Sequence, residues 1–135
     1  MSNAAHNQHL TTDMDFKKGD LVLVQLWGED EHTPLLNEFA AEIARLGAKA
    51  IKQQHSMVYY KDQFQKLSNR DNPFPDSYFN QFKPVKAVVN LIAYSPDALH
   101  PDFPADKVDV YQNFIASLDK ALEGRPVYDL PVSEF

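Results

Sequence analysis

Leu21 to Leu26 (LVLVQL) is apolar except for Gln25, the pattern of a strand covered on both faces. A polar turn, Lys17-Lys18-Gly19-Asp20, leads into it. Beyond Gly28 the period changes: Leu35, Leu36, Phe39, Ala40, Ile43 and Leu46 recur at three- and four-residue spacing and fall on one stripe of a helix. Thr33 and Pro34 predict its start, the hydroxyl as N-cap and the proline where its missing donor costs nothing. Gly47, free to take positive φ, ends it.

Ala48 to His55 (AKAIKQQH) reads as a second strand, and its lysines and glutamines place it at a sheet edge. Tyr59 to Leu67 predicts a short helix, Asn72 to Pro75 (NPFP) breaks the chain, and Asp76 to Phe82 forms a further turn. Ala87 to Tyr94 (AVVNLIAY), stopped by Ser95-Pro96, is the second central strand. Asp106 and Asp109 are expected to cap a helix over Lys107 to Glu123, whose Tyr111, Phe114, Ile115, Leu118, Ala121 and Leu122 form an apolar stripe ending at Gly124. Val127 to Leu130 is a fourth strand, and Pro131 suits an edge.

Helical connections imply parallel strands, and the two polar strands belong outside the two apolar ones. The expected fold is therefore α/β, a three-layer flavodoxin- or Rossmann-like arrangement with a short parallel sheet of about four strands in the order 2-1-3-4. Right-handed crossovers put the helix Pro34 to Leu46 on one face and both later helices on the other. The first face is then under-covered across strands 3 and 4, which predicts a cover: the leader, a second subunit or a missing domain. Residues 1 to 15 are rich in Asn, His, Gln and Thr, with Leu10 and Met14 their chief large apolar side chains; they read as a disordered or tag-like leader, Ser2-Asn3-Ala4 resembling an expression scar. Residues 16 to 135 form the single domain, and a homodimer or a partner protein is the expected cover.

Composition narrows the function classes. A chain of 135 residues, 44% hydrophobic and 24% charged, suits one globular domain. Zero cysteines exclude disulfides and thiolate chemistry and, without a signal-like stretch, favour the cytoplasm. No run is long enough to cross a bilayer. A net charge of -6 opposes binding to a nucleic-acid backbone.

Three segments together carry a family resemblance: Phe16-Lys17-Lys18-Gly19-Asp20-Leu21-Val22-Leu23-Val24, the helix Leu35 to Gly47 ending Arg45-Leu46-Gly47-Ala48, and Val108 to Leu122 with Val127 to Pro131. Residues 16 to 132 resemble the N-terminal α/β domain of the metal-dependent aminopeptidase T group, the thermophilic-type leucyl aminopeptidases. The resemblance implies a cytosolic, often dimeric exopeptidase, with paired divalent metals in a C-terminal domain and an N-terminal domain that helps enclose the substrate cavity. The sequence ends at Phe135, so the metal ligands of that second domain have no matching positions and none is carried over. The apolar helix that precedes the first strand in such enzymes has no counterpart here either.

Parallel strands place their following loops at one sheet edge, the usual location of ligands in open α/β folds. His32, His55 and His100 each follow or end a strand, and Glu29, Asp30, Glu31, Asp97 and Asp102 share those loops. Neutral imidazoles and carboxylates there would offer a divalent metal its ligands, although no His-x-x-x-His or comparable spacing fixes a geometry and no cofactor is assigned. The plainer reading is solvated loop residues and caps. Trp27 and Tyr94, at the same edge, would form a stacking wall for a small ligand or pack as rim aromatics. Only Gly19, Gly28, Gly47 and Gly124 exist, so neither a dinucleotide fingerprint nor a phosphate loop can be written. Ser56 and Ser95 lack a glycine-flanked elbow and read as turn residues, and Asn90 reads as a hydrogen-bonded core amide.

No catalytic residue is assigned. The expected function is that of a non-catalytic, stand-alone relative of an aminopeptidase N-terminal domain, acting by self-association or partner binding. The alternatives are a small metal-dependent hydrolase or metal-binding protein using the histidine-carboxylate edge, and a flavodoxin-like binder of a small ligand between the loops after Leu26 and Tyr94.

Overall fold

The computed structural model describes residues 17–66, 76–95 and 99–134. The leader, the breaker run Asn72 to Pro75 and the candidate ligand Asp97 lie outside the described residues. Four parallel strands, β1 (Leu21–Trp27), β2 (Lys49–His55), β3 (Ala87–Ile92) and β4 (Val127–Pro131), form one sheet in the order β2-β1-β3-β4. Helix α1 (Thr33–Arg45) connects β1 to β2; α2 (Met57–Gln65) and α3 (Asp76–Asn80) precede β3, and α4 (Val108–Ala121) connects β3 to β4. The fold class, strand order and alternating connections match the hydrophobic pattern.

Two cores flank the sheet. Leu36, Phe39 and Ile43 of α1 pack on Val22, Val24 and Leu26 of β1 and on Ala87, Val89 and Leu91 of β3. On the other side Tyr60 and Phe64 of α2 and Tyr111, Phe114 and Leu118 of α4 pack on Leu23, Trp27 and Val88. Period-2 alternation along β1 sends its side chains to the two cores in turn.

Helix ends depart from the expected caps in two places. Thr33 opens α1, but its hydroxyl donates to Gln54 Oε1 at 2.8 Å rather than accepting from the helix. Asp106 and Asp109 give no side-chain cap to α4, and Asp106 instead faces the Lys107 ammonium at 3.5 Å. Both helices continue a 3₁₀ turn, Asp30–His32 and Ala105–Lys107, in which His32 N donates to Glu29 O and Lys107 N to Pro104 O, each at 3.0 Å. The α1 C-terminus is as expected: Gly47 has φ +91 and donates to Ala44 O, while Ala48 N donates to Ile43 O, the paired bonds of a Schellman end. The middle helix begins at Met57 rather than Tyr59, because the Ser56 hydroxyl accepts from Tyr59 N and caps it.

Cover over β4 is incomplete on both sides. On the α1 side Val89 and Leu91 are fully buried and Tyr128, Leu130 and Val132 are partly buried against the same core. On the α4 side Val127 is 52% exposed, Asp129 and Pro131 are exposed, and no described β4 residue joins the core. Helix α4 lies over β1 and β3, leaving that flank of β4 open.

Candidate functional site

The most concentrated polar chemistry lies across the middle of the sheet. Parallel register sets Gln25 beside Asn90, and Asn90 beside Asp129, so three strands carry one polar row facing α2 and α4. One step further along, the register sets Trp27 beside His55. Their rings stack with centroids 3.9 Å apart and planes 14° from parallel. The stack and the polar row form one connected chain.

Its hydrogen bonds have a unique direction. Trp27 Nε1 can only donate, and it meets Asn90 Oδ1 at 3.0 Å; an ionised Asp129 can only accept, and its Oδ1 meets Asn90 Nδ2 at 2.9 Å. These two contacts orient the Asn90 amide. Gln25 Nε2 therefore donates to Asn90 Oδ1 at 3.0 Å, and Gln25 Oε1 is left to accept from His55 Nε2 at 2.8 Å. The imidazole proton is then on Nε2, and Nδ1 accepts from the Tyr60 hydroxyl at 2.6 Å. Gln25 is 2% exposed and His55 fully buried. Burial lowers the His55 pKa to about 3 and raises that of Tyr60, so a neutral ring and an intact phenol hold the chain at neutral pH.

The loops after the strands are similarly engaged with the protein itself. Glu29 accepts from Ser56 Oγ at 2.5 Å and from Met57 N at 2.9 Å, placing a carboxylate at the N-terminus of α2, where the helix dipole favours it. Asp30 Oδ1 accepts from Gln54 Nε2 at 2.9 Å. The Tyr94 hydroxyl donates to the His55 carbonyl, and burial with the nearby Glu29 charge raises its pKa. Gly28 N donates to the same carbonyl at 3.2 Å, and a Cβ on Gly28 would stand 3.0 Å from Ala93 Cβ. The ends of β1, β2 and β3 are thus knitted together where a ligand between the loops after Leu26 and Tyr94 would enter.

Of the sequence-predicted site residues, the structure joins Trp27 with His55, His55 with Tyr94, and Glu29 with Ser56. The three histidines have separate partners. His55 closes β2 as expected, stacked on Trp27 with both ring nitrogens engaged. His32 Nε2 faces Glu31 Oε1 at 3.7 Å, and His100 Nδ1 accepts from Asp102 N at 3.0 Å. Among the described residues no three His, Asp or Glu side chains form a group that could hold a metal ion. Trp27 stacks on His55, and Tyr94 reaches the carbonyl of the same residue. Ser56, read as a turn residue, is a helix cap, and Asn90 is the expected bonded core amide.

Sequence reasoning missed Tyr60, Asp129 and Arg125. The first two are invisible without register and helix placement. Arg125 donates to Val85 O at 3.0 Å, Lys83 O at 2.8 Å and Ala121 O at 2.9 Å, joining the end of α4 to the turn before β3. A lone arginine after Gly124 carries no signal of that role.

The fold has a measurable likeness among solved structures. Wild-type AmpT from Thermus thermophilus, an aminopeptidase T, matches with a TM-score of 0.69 and 16% sequence identity over 96% of this chain. The chain covers only 36% of AmpT. At this identity the likeness shows an aminopeptidase-like fold and nothing finer. No family model matches the sequence, and no curated protein does. Among the described residues no helix is long and apolar enough to cross a membrane.

Proposed function

We infer that this chain is a non-catalytic relative of an aminopeptidase domain and works by association, with a second copy of itself as the partner and β4 as the contact. The observation that carries this reading is the internal engagement of the chemistry-bearing groups. His55, Tyr60, Gln25, Asn90, Glu29 and Tyr94 all bond to other parts of the domain. The metal-dependent alternative would require His55 to release Gln25 or Tyr60 and expose a buried ring, which its surroundings oppose.

The β4 strand offers what a self-association surface needs. It is the last strand of the sheet, Val127 is half-exposed on one side, and Tyr128 and Leu130 are incompletely buried on the other. Sedimentation from about 1 to 100 μM should show a concentration-dependent dimer, and Val127→Lys with Leu130→Lys should return it to monomer with unchanged circular dichroism. A monomer throughout this range overturns the dimer. Metal-dependent hydrolysis of aminoacyl p-nitroanilides by the purified chain overturns the non-catalytic reading.

A further inference from the structure

Between α4 and strands β3 and β4 lies a cavity of about 360 Å³, floored by Gln25 and Asn90 and walled by Trp27, Val88, Leu118 and Leu122. Its size falls in the range of small-molecule pockets, and it sets apolar walls against a comparable share of polar groups. It is distinct from the loop edge after Leu26 and Tyr94, and its mouth opens beside Val127 of β4.

The direction of the hydrogen-bond chain shows what the floor presents. A primary amide carries two N–H groups. Gln25 Nε2 gives one to Asn90 Oδ1, and Asn90 Nδ2 gives one to Asp129 Oδ1. Each amide nitrogen makes one bond among the described residues, which leaves each a second N–H, and Gln25 as a residue is 2% exposed. Facing the cavity, these N–H groups are donors that an oxygen acceptor would match. Asp119 and Glu123 line the cavity beside Arg125; the guanidinium is already directed at backbone carbonyls. The lining is therefore unfavourable to an anion.

We propose that this cavity binds a small uncharged carbonyl compound, an amide or lactam with a branched or cyclic aliphatic body. Its oxygen accepts from the free N–H groups of Gln25 and Asn90, and its hydrocarbon lies against Trp27, Val88 and Leu118. The polar recognition is made by Gln25 and Asn90, and Val127 is shared between the cavity mouth and the proposed β4 contact.

The test uses the full ¹⁵N-labelled chain, following the side-chain NH₂ resonances of Gln25 and Asn90. Titration with 4-methylpentanamide or δ-valerolactam should shift both pairs saturably, with Kd on the order of 1 mM for ligands of this size. The isosteric carboxylate 4-methylpentanoate should bind at least tenfold more weakly. Ile115→Trp, which fills the cavity, should abolish the shifts; if that variant misfolds, Val127→Trp at the exposed mouth serves instead. The proposal is overturned by the absence of saturable shifts up to about 50 mM, by equal binding of the carboxylate, or by undiminished shifts in a folded cavity-filled variant.

Discussion

The two faces of the sheet are built by different rules. Under α1, Val22, Val24, Leu26, Val89 and Leu91 meet Leu36, Phe39 and Ile43 in an apolar core, with polar bonds only at the β2 edge, Thr33 to Gln54 and Lys52 to Asn37. Under α2 and α4, the apolar packing of Leu23, Phe64 and Phe114 surrounds a chain of polar groups from Tyr60 to Asp129. Apolar contacts are non-directional, so the first face tolerates exchange of one hydrophobe for another of similar volume. Each bond of the second requires a given atom at a given register, and a strand slip by one residue would reverse the faces of its side chains. The apolar face supplies adhesion and the polar face adds uniqueness, at the risk that any broken link leaves buried groups unmet.

Shape-conserving substitutions break the comparison most strongly. Gln25→Met should cost about 2–4 kcal/mol in urea unfolding, because it orphans the His55 donor and withdraws a partner of Asn90. Leu26→Met, next to it on the other face, should cost less than about 1.5 kcal/mol. Equal losses would abolish the distinction between the faces. Arg125→Met should cost about 2–3 kcal/mol, since Val85, Lys83 and Ala121 carbonyls lose a charged donor.

Acid separates the faces without a mutation. His55 titrates near 6.5 when unfolded and about 3 when folded, so below 6.5 the unfolded chain binds the extra proton. The stability contributed by the neutral ring is fully present above pH 6.5 and is lost as pH falls towards 3, at about 1.4 kcal/mol per pH unit. His55→Phe keeps an aromatic partner for Trp27 and should remove this part of the slope between pH 6 and 4 while lowering stability at pH 7. An unchanged slope would assign the acid sensitivity to carboxylates instead. The smallest effect is expected from Glu29→Gln, about 0.5–1 kcal/mol, through the weaker charge at the start of α2.

The apolar face was readable from periodicity alone, because strand alternation and the α1 stripe report burial directly. Strand order followed from the contrast between LVLVQL and AKAIKQQH. The polar face was only partly readable. Gln25 and Asn90 stood out as polar residues in apolar strands, but their adjacency is a property of register, which a single strand does not carry. His55 lay at the end of a strand rich in polar residues and looked solvated; the stack on Trp27 and the helix bearing Tyr60 bury it. The open α4-side flank of β4 was not anticipated, because crossover handedness tells which face α4 occupies, not which strands it spans.

The direction of the buried chain is tested most directly by long-range ¹H–¹⁵N correlation of the His55 ring from pH 7.5 to 4. A neutral ring protonated at Nε2, unchanged across the range, is the predicted result. A proton on Nδ1, or titration near 6.5, would contradict it and return His55 to the residues available for chemistry.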